Sequence, residues 1–527
     1  MVAHTTAGGL LRDRAAEHPH KLFVWSGNDR RTYAQMDAAS DRVASGLVEL
    51  GVAPGDRVAV QSCNRIEFVE LLFACAKLGA VMVPTNVFLK GDFLHYQLED
   101  CEAETIVVDG PGAETVGEVA DELPALKRAV SFDDASVRRV ETVPFSRLAE
   151  EHPSANGDIG SGSLLSIMYT SGTTGMPKGC MLAHGWYVSG ARAGTEMMNY
   201  GGDDVLYSAL PLYHAWAQGM VMSALLHGLT AVVDAEFSAR GVIDRIAETN
   251  ATTFAGVGAM GMAMLAVRES AADRAHRLRA ALMIPFPPAD QARFSARFGA
   301  TVLAQLYGQT ECGAISYGRL SDLGDPASVG RPGINVEVRV VDDDGHEVAA
   351  GEVGEIVVRP KAPHAMFQGY WRKPEATIEA WRNLWHHTGD CGRMDEAGSL
   401  FFVDRKKDAL RRRGENVSSI ELEHAISQHP KIAEAAVHAV PSPMTEDDIK
   451  ACLVLEPRKH VTPKELFRFF KEQLPYFAIP RYVEILPKLP RNATMRVRKH
   501  VLRDRGVTDQ TWDFEALGFI VERGDRR

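Results

Sequence analysis

The sequence predicts an α/β protein: a large N-terminal domain of layered α/β subdomains plus a β-rich subdomain, then a small α+β C-terminal domain. Three observations predict it. From about residue 33 to about residue 306, strand-like and helix-like segments alternate, the pattern of parallel βαβ layers. After about residue 334 the texture changes to alternating strands separated by turn residues. A charged run at 404–413 then precedes about 115 residues of mixed helix and strand, and marks a domain boundary.

The elements follow in order. Tyr33, Met36, Ala39, Val43 and Leu47 recur at helical spacing and stop at Gly51. The turn Pro54-Gly55-Asp56-Arg57 leads into the strand Val58-Ala59-Val60. An apolar helix over 66–78 ends at Gly79, and Val81–Pro84 and Thr105–Val108 read as strands with another helix between them. The pattern returns with the strand Leu164–Met168, a helix near 186–198, strands at 232–233 and 252–254, a helix over 289–298 and a strand over 302–306. Val336–Val340 and Gly354–Val358 read as antiparallel strands around the turn Asp342-Asp343-Asp344-Gly345, where the spacing of a calcium-binding loop is absent. The chain shows no internal repeat and no low-complexity tract.

The chain has 527 residues and a net charge of −11, with 45% hydrophobic residues. That is enough chain for more than one domain and a large core. The acidic balance argues against nucleic-acid binding, while a local basic cleft can still take an anionic substrate. Seven cysteines (Cys63, Cys75, Cys101, Cys180, Cys312, Cys391, Cys452) are scattered without a CxxC pair. This reads as reduced thiols in a cytoplasmic protein rather than a disulfide frame or a zinc site. No secretory leader is expected, and the most apolar stretch, 205–235, is interrupted by His214, Gln218 and His227. No integral membrane association is expected. Peripheral contact with a bilayer stays open.

Residues 169–179 read Tyr-Thr-Ser-Gly-Thr-Thr-Gly-Met-Pro-Lys-Gly. Small side chains let a ligand reach the backbone amides, the glycines permit amides to converge, and Lys178 adds a cation. Thr170, Ser171, Gly172, Thr173, Thr174, Gly175 and Lys178 therefore form a candidate polyphosphate cradle. The spacing is not that of a Walker A loop. Taken alone, the run fits a flexible surface loop equally well.

Further short motifs follow: Tyr-Gly-Gln-Thr-Glu at 307–311, His-Thr-Gly-Asp at 387–390, Asp-Arg-Lys-Lys-Asp at 404–408 and Arg-Arg-Arg-Gly-Glu-Asn-Val at 411–417. In this order, after the glycine-rich loop, the set resembles the adenylate-forming superfamily of acyl-CoA synthetases, adenylation domains and luciferases. The resemblance runs from about residue 10 to about residue 503, and the wording at 404–419 is nearest the crotonobetaine/carnitine-CoA ligase-like branch.

The resemblance implies an ATP-dependent acyl-CoA ligase. A carboxylate attacks the α-phosphate of ATP to give an acyl-adenylate and pyrophosphate, and coenzyme A then displaces AMP. It implies an N-terminal domain 1–404, a hinge at 405–408 centred on Lys407, and a mobile C-terminal lid 409–527. It assigns the β- and γ-phosphates to the glycine-rich loop and the adenine to Tyr307, with Gly308 and Gln309 beside it. Thr310 faces the α-phosphate, and Glu311 binds Mg²⁺ with Thr170 nearby. Asp390 meets the ribose, Arg405 supports ribose or phosphate, and Arg411 and Gly414 meet nucleotide or coenzyme A. His214 contacts the acid, and Trp216, Met260, Phe286 and Leu306 are candidate pocket walls. Each has a plainer reading: Tyr307 as a core tyrosine, Thr310-Glu311 as a helix start, Asp390 and Arg405 as surface charges, His214 as a core histidine. Dimers are common in the superfamily, so a homodimer is one state to expect.

Two departures stand out. The superfamily's last motif carries a Gly-Lys pair, and alignment puts Met495 and Arg496 there. Arg496 keeps the charge in a planar fork that can bridge carboxylate and phosphate. Lys499 is a substitute only if the local backbone brings it round. The segment Met-Ile-Pro-Phe-Pro-Pro at 283–288 replaces a run of small residues and is expected to crowd the acyl pocket. Two other functions stay open at this point: adenylation with a carrier-protein acceptor, although no carrier domain follows in this chain, and non-catalytic binding of nucleotide or acyl-CoA.

Overall fold

The computed structural model describes residues 6–150, 159–170, 176–405, 409–412, 415–442, 447–491, 497 and 499–521. It divides into two compact units. One comprises Met1–Val87, His95–Tyr169 and Gly179–Asp404; the other comprises Phe88–Leu94, Thr170–Lys178 and Arg405–Arg527.

The larger unit contains two seven-stranded sheets. In one, the strands run in the order Thr301–Leu303, Ala280–Ile284, Thr253–Val257, Val205–Ser208, Thr230–Val233, Leu22–Ser26, Asp29–Thr32. All neighbours are parallel except the last pair, a hairpin. In the other, Arg57–Gln61 lies at the centre, parallel to Val81–Pro84 and Thr105–Val108, and the edge beyond Val81–Pro84 is formed by Leu164–Thr170 and Lys178–Ala183. Strands buried on both faces need continuous apolar runs, and Val81–Pro84 and Thr105–Val108 are buried throughout.

Local chemistry fixes the helices between them. Thr32 and Gln35 form a reciprocal capping box at the start of Tyr33–Glu49. The helix Ile66–Leu78 stops at Gly79, whose φ of 82° is the left-handed conformation that glycine adopts without cost.

The sequence expectation of one strand over 302–306 is corrected. Thr301–Leu303 completes the parallel sheet, whereas Leu306–Gln309 opens a three-stranded antiparallel sheet with Gly313–Tyr317 and Arg331–Pro332. The strand Lys178–Ala183 was not anticipated: its residues, Lys-Gly-Cys-Met-Leu-Ala, carry no alternation that marks a strand, and it forms at the edge of the sheet. A four-stranded sheet follows, in the order Val336–Val341, Gly354–Pro360, His386–Met394, Leu400–Arg405. The Asp342–Gly345 turn is held by Asp342 Oδ1, which accepts from the amides of Asp344 and His346 at 3.0 and 2.9 Å. These backbone bonds account for the Asp342 cluster as a turn.

In the smaller unit, Ile432–Pro441, Asp447–Leu455, Tyr482–Ile485 and Trp512–Asp513 form a sheet in that order, packed with helices Ser419–Ser427 and Pro463–Gln473. Trp512–Asp513 pairs with Tyr482 and Val483, and Phe514 is buried with Phe467 and Phe470. Residues 512–514 are thus part of this core. Among the described residues, no helix is long and apolar enough to cross a membrane.

Candidate active site

The hairpin Leu306–Tyr317 carries the Tyr-Gly-Gln-Thr-Glu motif. Its register shifts between Tyr307 and Gly308, and a Cβ on Gly308 would lie 2.3 Å from the carbonyl oxygen of Gly313. Only glycine fits that bulge. Thr310 and Glu311 lie in the turn, not at the helix start that was the plainer reading of the pair.

The strand His386–Met394 brings Asp390 to this hairpin. Asp390 is 4% exposed and accepts from the Tyr307 hydroxyl at 2.7 Å and from Gln309 Nε2 at 2.9 Å. Gln309 Nε2 also donates to the carbonyl of Thr388 at 2.9 Å, and the Thr388 hydroxyl donates to the carbonyl of Ile356 at 2.7 Å. Burial first, and then the charge of Asp390, push the Tyr307 phenol well above its ordinary pKa. It therefore stays protonated and donates. A buried carboxylate needs such donors, and here they also fix its direction.

Glu311 is held from the other side of the turn. Its Oε1 accepts from the Tyr370 hydroxyl at 2.9 Å, and its carbonyl accepts from the amide of Phe367 at 2.8 Å. The segment 369–371 runs beside the strand that follows the glycine-rich loop: Met181 N–H donates to Gly369, and Trp371 N–H to Gly179, at 3.0 and 2.8 Å. Tyr370 was missed in the sequence. Its signal was the aromatic run Phe367-Gln368-Gly369-Tyr370-Trp371 around a glycine at φ 128°.

The candidate acid-pocket residues all follow C-terminal ends of parallel strands. Val205–Ser208 pairs with Thr230–Val233 on one side and Thr253–Val257 on the other, so the chain order reverses there. Open α/β sheets bind ligands at such a switch point. His214 and Trp216 follow Val205–Ser208, Met260 follows Thr253–Val257, Phe286 follows Ala280–Ile284 and Leu306 follows Thr301–Leu303. His214 is half-buried at the start of helix Ala215–His227, its ring 4.6 Å from that of Tyr213. Trp216 and Leu306 pack against one buried cluster that includes Met197, Leu282 and Leu303. Phe286 is turned into the core against Phe294, 4% exposed.

The structure brings together Tyr307, Gln309 and Asp390. Thr170 ends one strand, Lys178 begins another, Arg405 ends the strand from Leu400, and Arg411 pairs with Asn416 in a short hairpin. Ser171, Gly172, Thr173, Thr174, Gly175, Lys407, Gly414 and Arg496 lie outside the described residues. Lys499 is engaged within its own unit: Nζ lies 2.7 Å from Ser419 Oγ and 2.7 Å from Glu423 Oε1.

Comparison with known proteins identifies the family. Residues 11–371 match the family described as AMP-binding enzyme, and 421–496 match the AMP-binding enzyme C-terminal domain. A crotonobetaine/carnitine–CoA ligase of Citrobacter koseri is 32% identical over 90% of this chain and 93% of its own length. A feruloyl-CoA synthase of an Amycolatopsis species is 34% identical over 93% and 97%. Among solved structures, an o-succinylbenzoate CoA synthetase of Bacillus subtilis with a bound product analogue matches with a TM-score of 0.82 at 27% identity, covering 94% of this chain and 98% of that one. The chain therefore belongs to the AMP-binding enzyme family, among its AMP-forming acid–CoA ligases.

Proposed function

We propose that this ligase activates a carboxylic acid with an uncharged, apolar body and transfers it to coenzyme A. The observation that carries the nucleotide half is the junction of Tyr307, Gln309 and Asp390 beside a tethered Glu311. In this reading Asp390 meets the ribose, Tyr307 and Gln309 border the adenine, and Thr310 donates to the α-phosphate. The loop from Thr170 to Lys178 holds the outer phosphates through amides, hydroxyls and one cation. Attack of a carboxylate on a polyanion needs positive charge at the reacting atoms, which Arg496 supplies to both groups. Glu311 and Thr170 offer the oxygen donors that Mg²⁺ prefers, and that ion would neutralise phosphate charge. Turning at Lys407 exchanges the lid, 409–527, between the two half-reactions, with Arg405, Arg411 and Gly414 moving to nucleotide or coenzyme A.

The acid class rests on Trp216, Met260 and Leu306, all uncharged and partly buried beyond the strand ends. The similarity to a feruloyl-CoA synthase supports an aromatic or other apolar acid. None of the seven cysteines is joined in a disulfide, which suits a reducing cytoplasm.

The test is pyrophosphate release and thioester formation over a panel of cinnamic-type, aliphatic and quaternary-ammonium acids, with and without coenzyme A. Thioester formation with preference for uncharged acids is the expected result. Preference for the quaternary-ammonium acids overturns the substrate class. Adenylate formation without transfer to coenzyme A points to a carrier-protein acceptor.

A further inference from the structure

A chain of buried polar side chains runs beneath the segment that carries His214. Ser166 Oγ lies 2.7 Å from the Tyr187 hydroxyl, which donates to Gln218 Oε1 at 2.8 Å. Gln218 Nε2 donates to the carbonyl of Leu212 at 2.6 Å. From the other side, Asn64 Oδ1 accepts from the amide of Leu212 at 2.6 Å, and Asn64 Nδ2 donates to the carbonyls of Leu210 and Asp234 at 2.8 and 2.9 Å. Ser208 Oγ accepts from the amide of Leu210 at 3.0 Å and donates to the carbonyl of Ala255 at 2.8 Å. Ser166, Tyr187, Ser208 and Gln218 expose at most 0% of their surface, and Asn64 exposes 6%.

The direction of every bond is forced. A backbone carbonyl only accepts, so the Gln218 amide nitrogen must face Leu212. That turns Oε1 toward Tyr187, which must donate, and Ser166 must in turn donate to the Tyr187 oxygen. Residues 209–214 have no helix or strand of their own, yet Leu210 and Leu212 are buried. Buried irregular backbone has no ladder to satisfy it, so side chains must do so, and they select one conformation. The segment ends at His214, at the switch point of the parallel sheet. The far end of the relay is on the strand that runs into the glycine-rich loop.

We propose that Gln218, Tyr187 and Asn64 are positioning residues for the acid: they lock Leu210–His214 so that His214 is presented in one orientation. This rests on the reading above that His214 meets the acid. It predicts that breaking the relay harms acid binding selectively, with an effect that falls with distance from Leu212.

The experiment compares Gln218→Met, Tyr187→Phe and Ser166→Ala with the full wild-type chain, using the acid that wild type turns over best. The KM for the acid should rise about tenfold in Gln218→Met, less in Tyr187→Phe and least in Ser166→Ala, with the KM for ATP within about twofold. Equal changes in both KM values, or an unchanged acid KM in Gln218→Met, overturn the proposal. Amide exchange decides the positioning part without turnover. Leu210 and Leu212 should exchange about tenfold faster or more in Gln218→Met while the strands Thr253–Val257 and Ala280–Ile284 keep wild-type protection. Unchanged exchange at Leu212 also overturns it. If wild type turns over no acid, the reading of the reaction fails, and the exchange result still decides whether the relay holds the segment.

Discussion

Tyr307 and Asp390 lie 83 positions apart in the chain, and the phenol of one donates to the carboxylate of the other at 2.7 Å. The bond joins the hairpin Leu306–Tyr317 to the strand His386–Met394 inside a buried setting. Removing the hydroxyl leaves Asp390 with one donor fewer, at a cost of about 1–3 kcal/mol. Tyr307→Phe is therefore expected to raise the KM for ATP by about tenfold, and Asp390→Ala by more, since it removes the acceptor itself. Steady-state kinetics at saturating acid measures both. Normal ATP kinetics in both variants takes this junction out of the nucleotide site.

Lys499 and Arg496 make opposite predictions. Lys499 sits between Ser419 and Glu423, and Glu423 also accepts from the amide of Val437 at 2.7 Å. Lys499→Met should lower the thermal midpoint of the C-terminal unit and leave pyrophosphate release per folded enzyme near wild type. Arg496→Ala should abolish adenylation while ATP binding, followed by calorimetry, survives. The reverse pattern would transfer the catalytic cation to Lys499.

His184 gives the pH dependence. It is fully buried, and its Nδ1 accepts from the amide of Ala7 at 3.1 Å. Burial pushes its pKa down from 6.5 to about 4. The folded state thus favours the neutral ring, so this contribution is whole above about pH 6.5 and is lost as pH falls toward 4. Its size is on the order of 3 kcal/mol. Asn offers Oδ1 in place of Nδ1, so His184→Asn should narrow its stability gap to wild type as pH is lowered from about 7.5 to about 5. Thermal midpoints across that range test it; a constant gap contradicts the assignment.

Lys450 and Glu484 form an ion pair in the smaller unit with both side chains at 0% exposure. Arg505 and Thr508 also bind Glu484 Oε1, at 2.8 and 3.1 Å. Lys450→Met strands a buried carboxylate and should cost about 3–5 kcal/mol. Chemical denaturation of the full chain should show the C-terminal unit unfolding first. A loss below about 1 kcal/mol would mean that Arg505 alone suffices.

Much of the fold was legible because it rests on local periodicity. The helix Tyr33–Glu49 was marked by its apolar spacing, and Val81–Pro84 by an apolar run too short for a helix. The split at 302–306 was not legible. Ala304 and Gln305 look no different from strand residues, and the choice of sheet depends on partners far away in sequence. Phe286 was expected to crowd a pocket edge, and its burial against Phe294 needed the packing of helix Pro288–Phe298.

The sequence by itself determined the family, because its short motifs are contiguous runs that stand in a fixed order along the chain. Only the tertiary structure decided that Asp390 meets Tyr307 and Gln309, that Tyr370 holds Glu311, and that Asn64 and Gln218 clamp Leu212. Those contacts pair single donors with single acceptors across long stretches of chain. Such a pairing leaves no periodic trace in composition; it exists once burial has removed the water that would otherwise compete for each group.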